Sequence, residues 1–209
     1  MSELVVHVID DDDSAREALA FLLEASDFSV QTYDSALAFL DALPKAQAGY
    51  VVSDIRMPDM NGLELAQKLT EMKSGFPVII VTGHGDIPMA VDAMRAGVVD
   101  FLEKPFSEER ILDALRRAGR VLESQDGPAG EATAAIQARL QTLSERERQV
   151  LDRVIAGHAN KVIARDLGIS PRTVEIYRAK LMTKMQADNL AGLVRMALAV
   201  EGAEKPASV

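Results

Sequence analysis

From Leu4 onward the chain alternates short apolar runs with longer segments of helical period, and few folds accept that alternation. VVHVI at 5–9 and VIIVT at 78–82 are apolar at nearly every position. Strands of a parallel sheet read this way because helices cover both of its faces. The spacing predicts strands over Leu4–Asp10, Phe28–Tyr33, Tyr50–Asp54, Pro77–Thr82 and Val99–Leu102. Helices are predicted between and after them, over Ser14–Ala25, Ser35–Leu43, Gly62–Lys73, Ile87–Ala96 and Ser107–Glu123. Five strands in this order predict an α/β fold built on a doubly wound parallel sheet.

The alternation ends at QDGPAGEAT, residues 125–133, where two glycines and a proline without apolar periodicity predict a linker. Beyond it the periodic segments are all helical, over Glu145–Ala156, Asn160–Leu167, Pro171–Met185 and Asn189–Val200. The predicted organisation is therefore an α/β domain over 1–123, a linker over 124–142, a small all-α domain over 143–200 and a tail over 201–209. Charge divides the chain in the same place. Met1–Leu122 carries 11 Lys and Arg against 21 Asp and Glu, whereas Ile136–Val200 carries 11 against 6. An acidic front and a basic back predict different partners for the two. The chain has no cysteine, which excludes a disulfide framework, thiol catalysis and a cysteine-ligated zinc. Met1–Ile9 lacks the basic start and long apolar stretch of a secretory signal. No apolar run approaches the roughly 20 residues of a membrane span. A soluble, cytoplasmic protein without membrane attachment is the expectation.

In an open parallel sheet, ligands bind beyond the carboxyl ends of the strands. Polar residues gather at those ends here: Asp10 and Asp11 after the first strand, Asp54 after the third, Thr82 after the fourth and Lys104 just past the fifth. Asp12 and Asp13 are expected only to cap the following helix. Clustered carboxylates repel unless a cation compensates. Hard oxygen donors select Mg²⁺ or Mn²⁺. With a metal beside it, Asp54 could attack an incoming phosphoryl group as a carboxylate nucleophile. Thr82 would supply a hydroxyl, and Lys104 a cation, to the phosphoryl oxygens. Gly83 would leave room for the group to enter.

Asp10-Asp11, Asp54-x-x-Met57-Pro58, Thr82-Gly83 and Lys104-Pro105-Phe106, in this order and spacing, resemble a response-regulator receiver domain over about 1–122. The resemblance implies that Asp54 is the phosphoacceptor. It implies that Asp11 is a direct metal ligand, Asp10 a ligand through water, and the Arg56 carbonyl another ligand alongside Asp54. Thr82 and Phe101 would form a switch pair, Lys104-Pro105 a cis peptide, and Arg56 and His84 would influence how fast water removes the phosphate. A Mg²⁺-dependent phosphohydrolase of the haloacid dehalogenase type is the rival, since it too uses an Asp nucleophile. That family places an acid/base Asp two residues later, where this chain has Arg56.

In the helical half, Gly168 stops one helix, and Ser170 and Pro171 open the next. Val174, Tyr177 or Arg178, and Leu181 form the predicted buried face of that second helix, a helix-turn-helix pattern. Lys161, Arg172, Lys180 and Lys184 offer charge to phosphates. Arg172, Glu175, Ile176 and Ala179 project opposite the core toward a major groove, with Thr173 completing the candidate set. With Leu143-Ser144-Glu145-Arg146-Glu147 at its start, 143–200 resembles the LuxR-type DNA-binding domain, and the whole chain resembles the FixJ branch of the NarL/FixJ regulators. The resemblance implies a sensor histidine kinase, promoter DNA and RNA polymerase as partners. It also implies a homodimer formed on phosphorylation, through about Ile87–Phe106, and usually activation of transcription. A receiver acting on protein partners, with the helical tail as adaptor, is the other alternative.

Overall fold

A computed structural model describes residues 4–83, 87–123, 129–187 and 189–204, with side chains at all of these except 123–134 and 201–204. Five strands, β1 (Val5–Ile9), β2 (Ser29–Tyr33), β3 (Gly49–Asp54), β4 (Val78–Thr82) and β5 (Asp100–Glu103), form one sheet in the order β2-β1-β3-β4-β5. Each neighbouring pair is parallel. Helices α1 (Asp13–Ala25), α2 (Ala36–Ala42), α3 (Gly62–Glu71) and α4 (Ile87–Arg95) connect them, and α5 (Glu108–Glu123) follows β5. The predicted α/β sheet is therefore present, with its strand order reversing where β1 lies beside β3.

Alternate residues of a strand point to opposite faces, and both faces are covered here. Val6 and Val8 of β1, Val52 of β3, and Ile79 and Val81 of β4 pack with Leu19 and Leu23 of α1 and Ile111 and Leu115 of α5. The residues between them, Val5, Ile9, Val51 and Ile80, are buried as well, which is why the strands read as unbroken apolar runs. His7 is buried in the same strand. Its Nε2 donates to the Gln47 carbonyl at 2.9 Å, and its ring centre lies 5.4 Å from Phe39 and 5.5 Å from Phe76. Burial pushes its pKa down, although the carbonyl bond opposes the shift. His7 is a core residue.

Two local devices set the loops at the carboxyl edge. Asp12 caps α1, accepting from the Ala15 N–H at 2.8 Å. Asn61 and Glu64 form a capping box at the start of α3. Between them the chain must pass close to its own strand. A Cβ on Gly62 would lie 2.3 Å from the Asp54 carbonyl oxygen, so only glycine lets α3 begin against the end of β3.

The chain divides into two compact units, Met1–Gly85 with Arg95–Gln125, and Asp86–Met94 with Asp126–Val209. The second includes α6 (Ala129–Gln141), α7 (Glu145–Ile155), α8 (Asn160–Leu167), α9 (Pro171–Met185) and α10 (Leu190–Glu204). Helix α6 lies within 124–142, the stretch read from the sequence as a linker. Gly127, Pro128 and Gly130 punctuate the stretch, but EATAAIQARLQ after them is rich in strong helix formers. Helix α6 packs on α9 and α10. Val150, Val154, Ile163, Leu193 and Val194 are completely buried in the helical core.

Helix α8 ends at Gly168 in the left-handed conformation, φ 65°, and Ser170 caps α9 with Pro171 at its first position. Val174 and Leu181 are fully buried, as their phase requires. An ion pair between the buried Glu147 and the exposed Lys184 lies at the edge of this core. Glu147 is only 5% exposed and accepts from the Lys184 ammonium at 2.7 Å and the Ser144 N–H at 2.8 Å. These bonds, Lys184 first, overcome burial and hold the Glu147 carboxyl at about 2. Its ordinary value lies near 4.5. A lowered folded-state pKa contributes stability above the unfolded value, and that stability is lost as pH falls toward the folded one. Acid unfolding of the helical unit, followed by circular dichroism, should therefore include a loss between about pH 4.5 and 2 that Glu147→Gln removes. An unchanged acid profile in the variant would show that the pair contributes nothing.

Candidate functional site

Asp54 ends β3, and Asp10 follows β1 one strand away. Lys104 reaches both. Its backbone N–H donates to the Thr82 carbonyl at 2.7 Å, which holds it beside the end of β4. From there its Nζ donates to Asp10 Oδ2 at 2.7 Å and Asp54 Oδ1 at 3.0 Å. The second oxygens are engaged by backbone, Asp10 Oδ1 by the Asp12 N–H at 3.0 Å and Asp54 Oδ2 by the Arg56 N–H at 2.6 Å. Burial opposes the charge on Lys104, but hydrogen bonds and Coulombic attraction from Asp10 and Asp54 outweigh it and raise its pKa. Asp10 is buried and Asp54 half-buried. Thr82 is fully buried at the same edge, and Phe101 is buried on β5. A Cβ built on Gly83 meets nothing within 4 Å, so space is open there.

The fold thus brings together Asp10, Asp54, Thr82 and Lys104. Asp11 and Arg56 are exposed. Among the described residues no three His, Asp or Glu side chains gather as a metal cluster; the two carboxylates that Lys104 bridges are Asp10 and Asp54. The donor chemistry still fits a hard cation. Each carboxylate oxygen accepts one bond and retains a lone pair, and two carboxylates, a carbonyl and water are an ordinary Mg²⁺ set. Lys104-Pro105 is cis, as the resemblance implied. His84 lies outside the described residues.

The helical unit presents a second candidate surface. Lys161 is exposed in the first turn of α8. On α9, Arg172, Glu175, Ile176, Ala179 and Lys180 are exposed along one side. Ile176 keeps 49% of its surface in solvent. Arg172 donates to Glu175 at 3.0 Å, and the Lys180 Nζ stands 5.8 Å from the Tyr177 ring centre. Thr173 is placed differently, its hydroxyl 2.8 Å from the Ser170 hydroxyl within the helix cap. Lys184, exposed near the end of α9, donates to Glu147 and to the Thr142 carbonyl at 3.1 Å. Arg178, read from the sequence as an alternative to Tyr177 on the buried face, is half-buried on α9 and donates to Asn160 at the start of α8 at 3.2 Å, which ties the two helices together. Burial lowers its pKa. Only its basic character on a mostly apolar face hinted at that role.

Residues 6–116 match the response regulator receiver domain, and residues 141–197 match the luxR family of bacterial regulatory proteins. The transcriptional regulatory protein FixJ of Rhizobium meliloti is 52% identical over 199 residues, 95% of this chain and 97% of that protein. FixJ of Bradyrhizobium diazoefficiens is 51% identical, over 92% of this chain and 94% of that one. The crystal structure of full-length FixJ from B. japonicum covers 97% of this chain and 99% of its own, at 49% identity and a TM-score of 0.55.

The chain belongs to the response regulators.

It is a FixJ-like regulator with a receiver and a LuxR-type DNA-binding domain, and its function is transcription regulation. Among the described residues no helix is long and apolar enough to cross a membrane.

Proposed function

We propose that a sensor histidine kinase transfers a phosphoryl group to Asp54, and that this modification governs sequence-specific binding of α9 to promoter DNA. The observation that carries the reading is Lys104 bridging Asp10 and Asp54 with one ammonium at the carboxyl edge of the sheet. Asp54 is the nucleophile, Lys104 offers positive charge to the phosphoryl oxygens, and Thr82 offers its hydroxyl. Asp10, Asp11, Asp54 and the Arg56 carbonyl would hold Mg²⁺ or Mn²⁺. The metal, when bound, supplies neutralising charge beside the incoming phosphoryl group. Thr82 and Phe101 act as the switch pair, and Arg56 and His84 set how fast the phosphate is lost.

The output follows from the helical surface. Lys161 and Arg172 grip phosphates, which fixes orientation, while Glu175, Ile176 and Ala179 face base edges. Thr173 contributes by capping α9, Lys180 supplies a further cation, and Lys184 holds α9 on α7. The domains function as a receiver over 1–123 and a reader beginning near 143. Phosphorylation favours a homodimer that sets two readers on paired half-sites and recruits RNA polymerase in the cytoplasm. The test is retention of DNA by the full chain. Treatment with acetyl phosphate and Mg²⁺ should increase its sequence-dependent retention of duplexes, and no increase would favour the protein-adaptor alternative. Lys161→Ala should weaken binding to all sequences alike and reduce the salt slope by about one. An unchanged slope would remove that phosphate contact.

A further inference from the structure

The last turn of α9 is anchored from outside the region that matches the luxR family. A helix end leaves its final four carbonyls without partners inside the helix. Gln186, left-handed at φ 54°, lets two of them be met by backbone: Gln186 N–H donates to Thr183 at 3.2 Å and Ala187 N–H to Met182 at 2.9 Å. The Met185 carbonyl is met by a side chain instead. Arg139 Nη1, 46 residues earlier in the chain, donates to it at 3.2 Å.

Arg139 lies on α6, whereas the luxR-family match begins at residue 141. The connection is made twice. The Thr142 N–H and hydroxyl both donate to the Arg139 carbonyl, at 3.0 and 2.7 Å, and the Thr142 carbonyl accepts from Lys184 at 3.1 Å. The end of α6 and the end of α9 therefore hold each other through a donor on each. The guanidinium also brings positive charge to the negative end of the α9 dipole.

We propose that Arg139 is a positioning residue for DNA reading. It fixes the end of α9 against α6, and thereby the attitude at which Glu175, Ile176 and Ala179 meet base edges. This rests on the DNA-binding reading of α9, and it extends the reading unit upstream to α6. Base contacts need side chains placed to within a fraction of an ångström, whereas phosphate contacts by long flexible cations tolerate a small tilt. Loss of the anchor should therefore cost selectivity before it costs general affinity.

The experiment uses the full chain, treated with acetyl phosphate and Mg²⁺, to select duplexes from a randomised library. Binding of Arg139→Ala is then compared on a selected duplex and an unrelated duplex of equal length, over a range of salt. Affinity for the selected duplex should fall about tenfold, the magnitude of one charge-assisted hydrogen bond. Affinity for the unrelated duplex and both salt slopes should stay at wild-type values, and Arg139→Lys should restore most of the loss. An unchanged selectivity ratio, or an equal loss on both duplexes, overturns the proposal because the residue then only supports folding. A salt slope lower by about one overturns it in favour of a direct phosphate contact. Should Arg139→Ala fail to fold, Arg139→Met, which keeps an apolar stem and removes the donor, takes its place under the same criteria. If the wild-type chain selects no sequence, the DNA-binding reading itself fails, and this inference with it.

Discussion

Asp54→Asn should take up no phosphoryl group from acetyl phosphate and Mg²⁺ under conditions where the wild-type chain is labelled, as read by intact mass. The amide preserves the shape of the side chain and removes the anionic oxygen that attacks phosphorus. No neighbour is placed to substitute. Asp10 is buried at 4% exposure, with one oxygen on Lys104 and the other on the Asp12 N–H. Asp11 is exposed, outside that pair. Labelling of both proteins would remove Asp54 from the acceptor role. The same incubation addresses the hydrolase alternative, because continued release of phosphate through many turnovers would require an acid/base group. Arg56 stands where such enzymes carry a second Asp.

Much of this site could be read from the chain because parallel sheets impose two strong regularities. Strands covered on both faces must be apolar along their length, so VVHVI and VIIVT announce themselves, and a polar residue that ends such a run lies at the edge where ligands bind. Asp54 and Thr82 are the final residues of β3 and β4, and Asp10 immediately follows β1. The helix boundaries around Gly168, Ser170 and Pro171 were equally legible because their backbone chemistry is local. What escaped was carried by long-range pairing. Glu147 and Lys184 are 37 residues apart and Arg139 and Met185 are 46 apart. In a sequence, Lys184 is simply one more cation on a basic helix. Helix α6 was hidden by its neighbours, because Gly127, Pro128 and Gly130 masked a strongly helical stretch beside them.

Lys104→Met should slow labelling by about a hundredfold, because one preorganised charge is withdrawn from the transferring group while the nucleophile remains. Its effect on stability has a separate origin. In the unphosphorylated chain the ammonium offsets repulsion between Asp10 and Asp54, whose side chains keep 6% and 11% of their surface. Removing it should cost about 2 kcal/mol, below the full cost of breaking a buried pair because Lys104 retains contact with water. Urea unfolding of the double variant separates the two roles. If Lys104 chiefly relieves repulsion between two carboxylates, Lys104→Met should be less destabilising in the Asp54→Asn background, where one negative charge is already gone. Equal losses in both backgrounds would mean that Lys104 stabilises the fold through its contact with Asp10 alone. A labelling rate that falls in the otherwise wild-type chain would still assign the catalytic charge to it, so neither measurement can stand in for the other.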